Sequence, residues 1–230
     1  MSVKLRDFKG EFVIDKSQLK KKSQKIKALL FDWDGVFNNG EKQSDAGSNF
    51  SEVDSMGTNL LRFSFFLTSG KVPLSAIISG EKNNMAAFFT KRENFNYSFS
   101  KISHKIKALE FICEKEGIKP EEVAYFFDDV LDLSIASVCG VRILIDQKAN
   151  PLFFNYCIKN NLADYVTHFP GGQHAIREGC ELLMEMNENF NEVINLRKDY
   201  KEVYAKFIAE RKKTEVVYYT SENHNIVPLA

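Results

Sequence analysis

The chain has 230 residues, 31 Lys and Arg against 31 Asp and Glu, 44% hydrophobic residues and four Cys, the make-up of one globular domain with an appendage, or of two domains at most. A formal net charge of zero argues against a nucleic-acid binder, which needs a basic excess to displace counterions. No uninterrupted apolar run approaches the roughly 20 residues that span a bilayer, so neither nucleic acid nor membrane is an expected partner.

Residues 1–25 form a polar, Lys-rich extension without the apolar stretch of a secretory signal, which reads as a cytoplasmic chain whose leading lysines are solvated. From 26 to 185, short β-rich apolar runs alternate with stretches of helical period, the pattern of a parallel sheet covered on both faces. Strands are expected at 26–31, 72–78, 97–99, 123–127 and 141–145, nearly all without polar alternation. The fold class is α/β, a Rossmann-like parallel sheet with helices on both faces.

Between the strands, Ile102, Ile106, Leu109 and Cys113 place an apolar stripe on one helix that Gly117 closes. Residues 130–139 read as another helix. Residues 35–53, rich in Asn, Gly, Ser and Asp, read as a small β-hairpin flap. From Ala175 to about Lys213 the chain is helical and charged, with a break expected at 187–191. Residues 186–230 therefore form a helical extension ending in a tail from Thr214, too short and polar for a core, which is either mobile or an arm laid on a neighbouring subunit. Cys113, Cys139, Cys157 and Cys180 have neither zinc-ligand spacing nor a disulfide pattern and are read as buried fillers.

Ligands of open parallel sheets bind beyond the carboxyl ends of the strands. The first strand runs into Asp32-Trp33-Asp34-Gly35, the second into Ser79-Gly80-Glu81, and the fourth into Asp128-Asp129-Val130-Leu131-Asp132. Carboxylates gathered at one rim must share protons or hold a cation. Oxygen ligands without Cys or His favour Mg²⁺. Asp32 and Asp34 would face opposite ways on a regular strand, so the chain must turn at Gly35. One Asp can then attack as a nucleophile while the other donates and accepts protons, equipment suited to a phosphate monoester.

Taken in order, Asp32-x-Asp34-Gly35-Val36, Ser79-Gly80, Lys105 at a helix start and Asp128-Asp129-x-x-Asp132 resemble the four motifs of the haloacid dehalogenase superfamily of phosphatases. The stretch from Lys105 through Glu121 and Tyr125 to Asp132, and Gly171-Gly172-Gln173-His174-Ala175-Ile176-Arg177-Glu178, narrow the resemblance to the 3-deoxy-D-manno-octulosonate 8-phosphate phosphatases and their relatives, over about Ile26 to Glu185. The resemblance implies Asp32 as the nucleophile that forms an aspartyl phosphate and Asp34 as the acid and base. It implies Ser79, Gly80 and Lys105 around the phosphoryl oxygens, and Mg²⁺ held by Asp32, Asp128 and the carbonyl of Asp34, with Asp129 and Asp132 in support. It further implies no large cap domain and a homotetramer whose hairpins and tails help close neighbouring sites on a phosphorylated sugar acid.

The chain departs from that pattern where the sugar is read. Ser79-Gly80-Glu81 stands for Thr-Gly-Arg, Val53-Asp54-Ser55-Met56-Gly57 for Arg-Asp-Gly-x-Gly, and Phe127 for a Gly. Glu81 with Asp54 and Ser55 is more similar to the 2-keto-3-deoxynonulosonate 9-phosphate phosphatases, where Arg92 would accompany the Glu. Against these readings stand a helix-opening Glu81, a surface Arg92, His104 and His174 as polar loop residues, and the many Phe side chains as core or subunit contacts. Two readings of other classes stand beside these: a phosphoacceptor signalling module, whose acceptor Asp follows rather than precedes its acidic pair, and an inactive scaffold.

Overall fold

A computed structural model describes residues 7–43, 47–223 and 225–229. In chain order the first half comprises β1 (Glu11–Phe12), α1 (Lys16–Ser23), β2 (Ala28–Phe31), α2 (Glu52–Ser69), β3 (Leu74–Ile78), α3 (Asn84–Arg92), β4 (Tyr97–Ser100) and α4 (Ile106–Glu116). There follow β5 (Val123–Phe127), α5 (Leu133–Ala136), β6 (Val141–Leu144), α6 (Pro151–Lys159), β7 (Tyr165–Val166), α7 (Ala175–Met186), α8 (Phe190–Lys198), α9 (Glu202–Arg211), β8 (Val217–Glu222) and β9 (Asn225–Pro228).

The strands form one sheet in the order β1-β7-β6-β5-β2-β3-β4-β8-β9. Pairing is parallel throughout except at the two outermost pairs. The chain runs outward from β2 to β4, then returns to lay β5 beside β2 and runs outward the other way. That reversal opens a crevice beyond the carboxyl ends of β2 and β5, the place where such sheets bind ligands.

Successive strand residues point to opposite faces. Leu29, Phe31, Ile77, Ala124 and Phe126 enter one core with Leu60, Leu61, Ile176 and Leu183. Ala28, Leu30, Ala76, Ile78, Tyr125 and Phe127 enter the other with Leu109 and Ile112. Both faces are apolar because both are covered by helices, which is why the central strands lack polar alternation.

The ends of the chain depart from expectation. The segment read as a mobile tail or a neighbour's arm joins its own sheet: β8 lies parallel to β4, from Tyr97 opposite Val217 to Ser100 opposite Thr220, and β9 folds back on β8. The cause is the open edge of β4, which must find backbone partners. The ring of Tyr219 stacks on Phe99 with centroids 5.2 Å apart, and its hydroxyl accepts a hydrogen bond from Lys115 Nζ at 2.7 Å. At the other end, β1 pairs with β7, and Lys22 is not simply solvated, its Nζ lying 2.7 Å from the buried Asp164 carboxylate.

Three local expectations also shift. Within 35–53 the small hairpin takes, among the described residues, the form of a single antiparallel bridge, Gln43 to Gly47, and residues 44–46 lie outside the described residues. Residues 130–139 divide into a 3-10 turn (Val130–Asp132) and the short α5. The C-terminal helices break twice, the second time around Tyr200, whose φ is 46°. All four Cys are free; Cys139, Cys157 and Cys180 are buried and Cys113 is partly so. Among the described residues no helix is long and apolar enough to cross a membrane.

If β8 is integral to the sheet, Tyr219→Ala should cost about 3 kcal/mol, the scale for truncating a buried aromatic. Urea unfolding measures this; a loss below about 0.5 kcal/mol, the scale of a neutral surface change, would show that the strand is only loosely attached.

Candidate active site

The crevice holds the residues that the strand ends supply. Phe31 of β2 lies opposite Phe126 of β5, and the Asp32 N–H donates to the Phe126 carbonyl at 2.9 Å. This register sets Asp32 and Asp128 side by side. Asp32, Asp128 and Asp132 each offer an oxygen within 4.8 Å of the others, and all three are buried. Lys105, 2% exposed, lies between two of them, its Nζ 2.5 Å from Asp32 Oδ1 and 2.6 Å from Asp132 Oδ1.

Gly35 makes the turn possible. Its φ is 82°, and a Cβ there would lie 1.9 Å from Asp128 Oδ2. Only glycine combines that backbone with so close an approach. Trp33, fully buried and stacked on Phe37 at 4.9 Å, anchors the turn from below.

Asp132 is already engaged: Oδ1 takes Lys105 and the Tyr125 hydroxyl, and Oδ2 lies 3.4 Å from the Asp129 N–H. Asp129 is exposed and accepts the Val130 N–H at 2.7 Å, closing the 3-10 turn. Both therefore shape the loop, leaving Asp32 and Asp128 as the carboxylates open to a cation. Gln147, which sequence reasoning missed, donates to Asp128 Oδ2 at 2.9 Å and to the Gly35 carbonyl. It follows β6, so inspecting the end of that strand by the rule used for the others would have found it. Lys42 was also missed; its Nζ lies 3.4 Å from Asp34 Oδ2.

Asp32, Asp34, Lys42, Gly80, Glu81, Lys105, Asp128, Asp129, Leu131 and Asp132 enclose about 170 Å³. Ser79 is buried behind Gly80, its hydroxyl accepting the Glu81 N–H at 3.3 Å. Glu81 stands on the rim and does not open the helix, because α3 starts at Asn84 with Asn83 as its cap. Arg92, Asp54 and Ser55 are not brought here. Arg92 sits at the far end of α3, paired with Glu52 and Glu93 and bonded to Ser55. Asp54 accepts the Arg177 N–H at 3.0 Å, and burial raises its carboxyl above the usual range. A larger cavity of about 340 Å³ lies beside Phe8, His168, Phe169 and Arg177, and among the described residues its carboxylates form no cluster able to hold a metal ion. There Glu178 takes the His168 and Phe169 N–H groups and Glu181 takes Arg177.

Burial, then the charge of Asp132, pushes the Asp32 carboxyl up to about 7 against the pull of Lys105. Burial, then Asp32 and Asp132, pushes Asp128 up to about 9. Burial alone would lower the Lys105 ammonium, but the two carboxylates outweigh it and hold it charged. Three carboxylates against one ammonium leave an excess of negative charge, and the donors are hard oxygens only. The residues fit a divalent cation such as Mg²⁺.

The raised values fix the direction of a pH effect. In the metal-free protein the stability contributed by these two carboxyls is complete below their ordinary value of 3.8 and is lost as pH rises through about 7 and then about 9. A cation needs the ionised forms, so Mg²⁺ should raise the thermal midpoint more near about pH 9 than near about pH 6. Thermal unfolding with and without Mg²⁺ checks this; equal shifts would remove these carboxyls as ligands.

No family model matches the chain. The 3-deoxy-D-manno-octulosonate 8-phosphate phosphatase of Salmonella typhi is 32% identical over 171 residues, covering 71% of this chain and 81% of that protein. The Escherichia coli phosphatase of the same name is 31% identical over the same shares. Among solved structures, the Moraxella catarrhalis 3-deoxy-D-manno-octulosonate 8-phosphate phosphatase, in complex with magnesium ion, phosphate ion and KDO, superimposes with a TM-score of 0.65 at 27% identity, over 78% of this chain and 97% of that one. A probable yrbI family phosphatase from Pseudomonas syringae gives a TM-score of 0.66 at 25% identity, over 79% and 97%. With its acidic crevice at the sheet's switch point and this extent of likeness, the chain belongs to the 3-deoxy-D-manno-octulosonate 8-phosphate phosphatase family of the haloacid dehalogenase superfamily.

Proposed function

We propose that this enzyme hydrolyses the terminal phosphate of a 2-keto-3-deoxy sugar acid, of the 3-deoxy-octulosonate 8-phosphate type, through an aspartyl phosphate on Asp32. The observation that carries the reading is Lys105 bridging Asp32 and Asp132, with Asp128 within 4.8 Å of both. A carboxylate beside a buried ammonium, facing a cavity that accommodates a phosphoryl group, is equipped for in-line attack on phosphorus.

In the first step an Asp32 oxygen forms a bond to phosphorus as the ester bond breaks, and Asp34 gives its proton to the departing sugar oxygen. In the second, Asp34 takes a proton from water, the water oxygen attacks phosphorus, and Asp32 is released with inorganic phosphate. Lys105 holds charge against the phosphoryl oxygens, assisted by Ser79 and the backbone at Gly80. Mg²⁺, when bound by Asp32, Asp128 and the carbonyl of Asp34, would offset the negative charge that phosphate and carboxylates bring together.

The cavity of about 170 Å³ is smaller than the roughly 300 Å³ at which whole-ligand pockets begin. This supports a sugar that extends past the rim of the crevice; the homotetramer rests on the family resemblance. Glu81 on the rim favours a second reading, a nine-carbon 2-keto-3-deoxynonulosonate or acylneuraminate 9-phosphate, since a carboxylate stands where the octulosonate pattern has Arg. A signalling role is disfavoured because Asp32 precedes the acidic pair in the chain.

Asp32→Asn should reduce turnover by roughly 10⁴-fold or more, the scale of losing a nucleophile, while the protein still folds. An Asn variant of near normal activity would refute the nucleophile. Phosphate release from eight-carbon and nine-carbon ulosonate phosphates and from glucose 6-phosphate, compared by kcat/KM, is expected to favour an ulosonate by at least about tenfold. Equal, slow turnover of all three would leave an unspecialised phosphatase.

A further inference from the structure

We propose that Ser48 and Asn83 are positioning residues that orient the Asp34 carboxyl for proton transfer, an inference that rests on Asp34 being the acid and base. The two residues lie outside every motif that identifies the family reading, one in the loop before α2 and one at the cap of α3. The structure joins them to Asp34 in a hydrogen-bond chain whose direction is fixed at each link.

The chain starts at α3. Asn83 Oδ1 accepts the N–H groups of Met85 at 3.0 Å and Ala86 at 3.1 Å, so the amide cannot be turned over without losing the helix cap. Its Nδ2 must then face away from the helix, and it donates to Ser48 Oγ at 3.2 Å. With its oxygen accepting from Asn83, the Ser48 hydroxyl directs its own proton to Asp34 Oδ1, which it contacts closely. Asn83 Nδ2 also lies 3.5 Å from that same oxygen. Asp34 Oδ1 is thus held as an acceptor, which leaves Oδ2 as the oxygen available to exchange a proton with the substrate.

The arrangement is built rather than casual. Ser48 is 1% exposed and Asn83 5%, so neither hydroxyl nor amide has bulk water as an alternative partner. The Ser48 carbonyl accepts the Trp33 indole N–H at 3.2 Å, which ties the loop to the turn that carries Asp34. Gly47 has φ 76°, and a Cβ there would lie 2.5 Å from Asn83 Oδ1, so the loop backbone is pressed onto the Asn83 amide. On the opposite side, Lys42 Nζ lies 3.4 Å from Asp34 Oδ2, the oxygen left for the reaction.

The consequence is specific to the leaving group. A sugar alkoxide must be protonated as it departs, whereas a nitrophenolate needs little help, so a misdirected Asp34 slows alkyl esters far more than aryl esters. The test compares kcat/KM for the eight-carbon ulosonate phosphate with that for p-nitrophenyl phosphate. Because both substrates meet the same enzyme sample, the ratio is independent of how much protein is folded. In Ser48→Ala, and in Asn83→Asp, which keeps the helix-capping acceptor but loses the amide donor, the alkyl-to-aryl ratio is expected to fall at least about tenfold, part of the 10²-fold to 10⁴-fold that a positioned acid supplies. Ser48→Thr, which keeps the hydroxyl, is expected to restore the ratio to within about threefold. A wild-type ratio in Ser48→Ala and Asn83→Asp, with Asp34→Asn lowering it, would overturn the positioning role alone. A wild-type ratio in Asp34→Asn would overturn the acid-base reading beneath it.

Discussion

The repulsion among Asp32, Asp128 and Asp132 is the constraint on which the crevice depends. Two ionised carboxylates separated by about 4 to 5 Å repel by roughly 3 to 4 kcal/mol at an effective dielectric of about 20. That is a large part of the margin by which a domain of this size is stable. The fold tolerates the cluster because the surroundings are arranged against it: Lys105 bridges two members, Tyr125 donates to one, and Gln147 donates to the third. The compensation is incomplete, and the raised carboxyls of Asp32 and Asp128 express what is left over. A site left electrostatically unsatisfied in this way is poised to take up a cation and an anion together.

The sheet supplies the rigidity that such a site needs. Asp32 and Asp128 leave neighbouring parallel strands whose register is fixed by Phe31 opposite Phe126, with those two rings stacked 4.7 Å apart. The carboxylates are therefore held at the ends of two fully buried strands, while Glu81, Lys42 and Leu131 line the mouth from the connections between elements. Chemistry on the strands and discrimination on the loops is the division that open α/β folds favour.

Much of this was readable in the residues. β5 was legible to its exact bounds because Val123 to Phe127 is an unbroken apolar run, and Asp32, Lys105 and Asp128 were legible because they follow strands or start a helix. Gln147 follows the strand expected at 141–145 and lay within reach of the strand-end rule, but its contacts with Asp128 and Gly35 emerge only once β6 is laid against β5. β8 escaped because Tyr218, Thr220 and Glu222 make one of its sides polar, and an amphipathic strand looks like a tail when neither β4 nor β9 is in view. Arg92 is legible as a helical residue, but its placement is a matter of length. α3 carries it about 12 Å along the axis from Asn84 at about 1.5 Å per residue, away from the rim where Glu81 stands.

The pairing of β8 with β4 has a consequence for how the molecule is made. The chain emerges from the ribosome at about 5 to 20 residues per second, so β4 is complete well before residues 217–222 exist to cover it. During that interval Tyr97 and Phe99 sit beside bare backbone amides and carbonyls, a template for adding a foreign strand. β8 thus serves as a molecular seal on β4, and a nascent or clipped molecule that lacks it would present that edge to other chains.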